Sequence, residues 1–164
     1  MKCCILTIKV VGLRLPIIYL PLEDHVVRYV PWSRLRKDEN DNVIGVLGAA
    51  FSLRPAEEYL SATWAEFFQQ PSREECVSAA VRAIRASEIR VSPRSGFAVG
   101  KVRRIKDACL ADKQKHKIRI IHEPEDDNQA HTALRGWPRE SDLLLELIAE
   151  EVWNETILNS AVPV

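Results

Sequence analysis

The stretch Ile118 to His131, IRIIHEPEDDNQAH, gathers the residue types best suited to chemistry in this chain. His122 and His131 bracket an acidic turn that holds Glu123, Glu125, Asp126 and Asp127. A β-branched run ahead of a Pro-Glu-Asp-Asp-Asn turn predicts a hairpin, and residues facing each other across one have Cβ atoms about 4.5–5.5 Å apart. With His122 opposite His131, both rings reach one divalent metal ion or one phosphoryl group. Asp126 or Asp127 then serves as a further ligand or orients a ring. The candidate catalytic set is His122, His131, Asp126 and Asp127, with the two histidines as candidate metal ligands. A register shift of one residue turns the rings to opposite faces and ends that idea. The spacing matches neither a helical H-E-x-x-H site nor a calcium loop, and Pro124, the Asp pair and Asn128 also suit an ordinary turn. Both readings stay open at this point.

Charge supplies the second candidate. The chain has 164 residues and a formal net charge of zero, yet its charge is segregated. Residues 1–81 sum to −1, residues 82–119 to +9 and residues 120–164 to −8. Arg82, Arg85, Arg90, Arg94, Arg103 and Arg104 form a candidate face for phosphate or an acidic partner, which would also suit nucleic acid. The plainer reading packs the acidic C-terminal segment against the basic one.

Other chemistry is weakly represented. GFAVGK has three residues between its glycines and Val102 after the lysine, so it is not a phosphate loop. No G-x-S-x-G elbow occurs. Cys3, Cys4, Cys76 and Cys109 include no C-x-x-C pair, which favours reduced thiols and a cytoplasmic home.

These residues need elements to hold them. A chain this long can bury roughly 68–70% of its unfolded surface as one domain. HVVRYVPW predicts a strand over His25–Trp32, followed by a hairpin turning at Asp38–Asn42. PAEEYLSATWAEFFQ reads as a helix, with Leu60, Trp64, Phe67 and Phe68 on one face. Ser72 and Glu75 have the spacing of a capping box and start a second helix. A short strand over Phe97–Val99, a helix over Val102–Ala111 and the two strands of the histidine hairpin follow. A fourth helix is expected from Ser141 to Leu158.

The apolar first 22 residues are interrupted by Lys9, Arg14, Pro16 and Pro21, so neither a membrane span nor a signal peptide fits them. They read as a first strand over Cys4–Val11, a partner-binding tail or an extension. Residues 23–164 form the single domain, of α+β class, with a mostly antiparallel sheet and about four helices.

The stretch RYVPWSRLRKDENDNVIGVLGAAFSLRPAEEYLSATWAEFF, taken with IIHEPEDDNQAH, resembles small bacterial proteins of no assigned function. The resemblance implies a bacterial cytosolic origin and contributes no functional residue. The leading expectation is a non-enzymatic interaction or regulatory component of a larger cytosolic assembly, with a protein partner and no cofactor. The alternatives are a metal- or histidine-dependent phosphoester hydrolase and a nucleic-acid binder.

Overall fold

In HVVRYV, alternate residues are apolar on both sides, and strand β1 (His25–Val30) buries Val26 and Val30 on one face and Val27 on the other. A strand of that kind belongs in the middle of a sheet. β1 lies between β4 (Tyr59–Trp64) and β5 (Gly96–Lys101). Beyond β4 come β7 (His131–Arg135) and then β6 (Arg119–His122); beyond β5 comes β8 (Glu155–Leu158). All neighbours in the order β6-β7-β4-β1-β5-β8 are antiparallel. This computed structural model describes residues 15–139 and 141–164. The strand expected at Cys4–Val11 falls outside them.

A separate hairpin joins β2 (Leu35–Lys37) to β3 (Val43–Val46). Its turn is the expected one: the Asp38 carboxylate accepts from the amides of Asn40 and Asn42, and Asp41 takes a positive φ of 62°. The three α-helices among the described residues are α1 (Arg73–Ala86), α2 (Val102–Ala111) and α3 (Asp142–Leu147). At the start of α1 the capping box is complete, with Ser72 and Glu75 each bonding the other's backbone amide.

Two expectations fail. The segment read as a helix from Pro55 becomes β4 and a short 3-10 turn over Glu66–Phe68. Leu60, Ala62 and Trp64 share one face with period two, and pairing to strands on both sides outweighs the helical spacing. The long terminal helix is also cut short. After α3 the chain widens into a π turn over Ile148–Val152, Trp153 fills the core, and Glu155–Leu158 joins the sheet edge.

The sheet separates two cores. On one face α2, α3, the β2–β3 hairpin and a 3-10 turn over Gly48–Phe51 pack on Val26, Val30, Leu60, Ile120 and Leu134. On the other, α1 and Val162 pack on Val27, Phe97 and Val99. No residue of β4, β6 or β7 belongs to this second core. On that half of the face Thr63, Ile121, His131 and Ala133 are buried outside this core, while Ser61 is exposed although β4 is a central strand.

Candidate functional site

The hairpin register decides the fate of the two histidines. His122 stands opposite Thr132, not His131, while His131 stands opposite Thr63 on β4. The rings therefore point to opposite faces, and the shared metal or phosphoryl site expected from the sequence is not assembled. His122 joins the first face, against Trp64 and Phe67, and its Nε2 bonds the Gln129 carbonyl at 2.8 Å. His131 is 4% exposed on the second face, edge-on to Tyr59. Asp126 is exposed in the turn, and the Asp127 carboxylate accepts from the Glu88 amide at 2.9 Å. Among the described residues no three His, Cys, Asp or Glu side chains cluster as metal ligands.

The six arginines are also kept apart. Arg82 and Arg85 ride on α1, whereas Arg103 and Arg104 ride on α2 across the sheet. Arg85 clamps the C-terminal segment through Asn159, Val162 and Pro163. Arg94 lies over the Trp32 ring, Arg103 pairs with Glu23, and Arg104 bonds the Glu151 carbonyl. Arg90 is exposed. The acidic segment finds its partners elsewhere: Glu146 and Glu150 pair with Arg36, and Glu155 with Arg73.

What the fold does assemble is a cleft in the sheet itself. β1 is registered with β5 at six positions and β4 with β7 at five, but β1 with β4 only at Val26–Trp64 and Val27–Thr63. Past Val27 the two strands part. The opening widens toward Val30 and Tyr59, and a cavity of about 670 Å³ runs along it. That volume suits a small ligand or a few residues of peptide.

Arg28 occupies the gap. Its neighbours on the same side of β1 are Val26 and Val30, so a charge stands where the alternation calls for an apolar side chain. Its Nε–H donates to the Ala50 carbonyl at 3.0 Å and an Nη1–H to the Ser61 carbonyl at 2.7 Å. The second of these bonds joins β1 to β4 where no ladder pair is registered. Protein packed around the guanidinium lowers its pKa to about 10; Glu57 acts to raise it and Arg54 to lower it further. No carboxylate is paired with Arg28 among the described residues. Glu57 is committed to Arg54, whose guanidinium bonds hold the Glu57 carboxyl below its usual range despite some burial.

At the closed end, His131 is fixed by the Glu123 carbonyl, 2.7 Å from Nδ1. A carbonyl only accepts, so Nδ1 carries a hydrogen, and in the neutral ring Nε2 then presents a lone pair. That Nε2 is buried without a hydrogen-bond partner, with the Glu125 carboxylate 3.5 Å away. Asn128 anchors the surrounding loop, donating to Thr63 Oγ1 at 2.8 Å and accepting from the Ala130 amide. Arg135 grips Glu123 with two bonds of 2.7 and 2.8 Å, keeping that carboxyl below the ordinary range. Burial, with help from Glu125 and Glu123, raises the Tyr59 phenol.

Of these residues the sequence singled out His131 and Asp127 and missed Arg28. The signal was present, since HVVRYV carries an arginine in phase with two buried valines. The thiols stay outside the site: Cys76 and Cys109 are buried, and burial pushes Cys109 up to about 12. No described helix is long and apolar enough to cross a membrane. Compared with protein families, curated proteins and solved structures, the chain shows no significant match.

Proposed function

We propose that this protein is a non-enzymatic interaction component, a regulator or subunit of a larger bacterial cytosolic assembly. In this reading it holds its partner at the β1–β4 cleft. One observation carries it: Arg28, a guanidinium held between two carbonyls and unpaired with any described carboxylate, at the centre of an open cleft. A charge so placed costs stability unless something outside the domain completes it. Around it the polar groups are fixed in advance, Arg54 by Glu57 and Asp127 by the Glu88 amide. Fixed donors and acceptors suit recognition, because little ordering remains to be done on binding.

A photo-crosslinking residue in place of exposed Ser52, on the cleft rim, tests this in living cells. A matched probe at Glu39, in the β2–β3 turn, is the control. The expected result is one adduct of defined mass from position 52 alone, lost on Arg28→Met. No adduct from position 52, or the same adducts from both probes, contradicts the reading.

The phosphoester hydrolase reading retains one favourable observation, that the His131–Glu125 pair and Arg28 line the same cleft. His131 would act as acid or base and Arg28 would hold the phosphate. Turnover of a phosphoester by the purified protein, abolished by His131→Ala, would favour it over the first. The nucleic-acid reading has no comparable support, because its six arginines are divided between the two sides of the sheet.

A further inference from the structure

The cleft offers donors in its gap and acceptors at its closed end, and the two together describe a ligand. A guanidinium has five N–H groups. Arg28 gives two of them to the Ala50 and Ser61 carbonyls, leaving three, both of Nη2 among them, without a protein acceptor among the described residues. Arg34, exposed at the wide end just after β1, adds a second cation. Arg54 adds little net charge because Glu57 neutralises it. At the closed end the sense reverses. In the neutral ring the His131 Nε2 lone pair is buried without a donor among the described residues, and the half-exposed Glu125 carboxylate, 3.5 Å away, accepts no hydrogen bond from them either.

We infer that the cleft binds a carboxylate-bearing peptide unit, its carboxylate on Arg28 and Arg34 and an N–H donor of the same unit between His131 Nε2 and Glu125. A carboxylate accepts from a guanidinium edge with charge assistance, and a peptide amide or ammonium supplies the N–H close by. A phosphate dianion meets only half of the requirement, because it brings acceptors to the His131–Glu125 end, where acceptors already face each other. Facing strand edges that part past Val27 leave room for an extended segment of this kind. The inference rests on the interaction reading above and adds the chemistry of the group received. The carboxylate can come from a chain terminus or from an Asp or Glu side chain, and the test separates these sources.

Four probes are titrated calorimetrically into the purified full chain, to millimolar concentration. They are an N-acetylated tripeptide with a free C-terminal acid and no acidic side chain, an amidated tripeptide with one central Glu, a neutral amidated tripeptide, and inorganic phosphate. Saturable binding of the first identifies a chain terminus as the source, and of the second a side chain. Either result supports the inference, provided that the neutral peptide and phosphate bind at least tenfold more weakly. Arg28→Met and His131→Ala should each weaken the productive peptide roughly tenfold or more, the usual scale for removing one partner of a desolvated charged contact. Arg34→Ala, at an exposed position, should weaken it by a smaller factor and keeps the test decisive if either buried variant fails to fold. Equal binding of the neutral peptide, tighter binding of phosphate, or no binding of either acidic peptide overturns the inference. If the peptides fail while the Ser52 adduct persists, the interaction reading stands and only the ligand chemistry falls.

Discussion

Arg28 separates what a residue does for the fold from what it does for a ligand. Its guanidinium bonds two carbonyls, yet the surrounding protein lowers its pKa from the ordinary arginine range to about 10. For a base, a lowered folded-state value means that the native state disfavours the charged form. The cost is therefore present at neutral pH and is relieved only above pH about 10. Replacing such a charge by an apolar side chain of similar length is often neutral or stabilising. Arg28→Met is accordingly expected to keep or raise the thermal midpoint while abolishing the Ser52 adduct, as read by differential scanning calorimetry at pH 7. A clear drop in midpoint would instead make Arg28 a structural tie between β4 and the Gly48–Phe51 turn. The same residue shows how far the site was legible. One charge in phase with Val26 and Val30 was visible in the sequence, but its meaning depends on β4 parting from β1, a tertiary fact. His131 was named from its acidic surroundings. Its true neighbours, Thr63 and Tyr59, come from β4, whose residues also carry a helical spacing.

At the scale of elements, local signals were legible and competitions between segments were not. The capping box at Ser72, the bounds of α2 at Val102–Ala111 and the Asp38 turn all follow from residues a few positions apart. Tyr59–Trp64 carries both a helical and an alternating pattern, and only its partners β1 and β7 decide between them. The Gly48–Phe51 turn was not anticipated, although it supplies the Ala50 carbonyl to Arg28 and the Phe51 carbonyl to the Trp137 indole. Gly48 is there because α3 passes against it. A Cβ at that position would lie 2.6 Å from the Glu146 nitrogen and 2.8 Å from the Leu145 carbonyl carbon, both backbone atoms. Gly48→Ala should therefore cost about 1–3 kcal/mol in urea unfolding, the range for overpacking a tight contact. By shifting Ala50 it should also weaken the acidic peptide. Unchanged stability would show that α3 yields easily and does not fix the turn.

For the molecule as a whole, the sheet is built unequally. β1 and β5 are sealed between two cores, whereas β4, β7 and β6 contribute to the first core alone and carry the buried polar pair Thr63 and His131 on their other face. The cleft lies where the two halves meet, at the one junction of this sheet that has just two registered pairs among the described residues. A full ladder there would be easily formed by sequence, since Tyr29 and Tyr59 are good strand residues. In its place Arg28 bonds Ser61 of β4 and Ala50 of the Gly48–Phe51 turn. The most direct test is residue-resolved amide hydrogen exchange of the full chain, with and without the productive acidic peptide. The opening is expected as fast exchange, in the free protein, at amides of β1 beyond Val27 and of β4 before Thr63 that point into the gap. The amides that pair β1 with β5 and β4 with β7 should remain protected. Peptide should slow the gap-facing set selectively. Uniform protection across β1 and β4 in the free protein, or a peptide effect confined to other strands, would contradict the account.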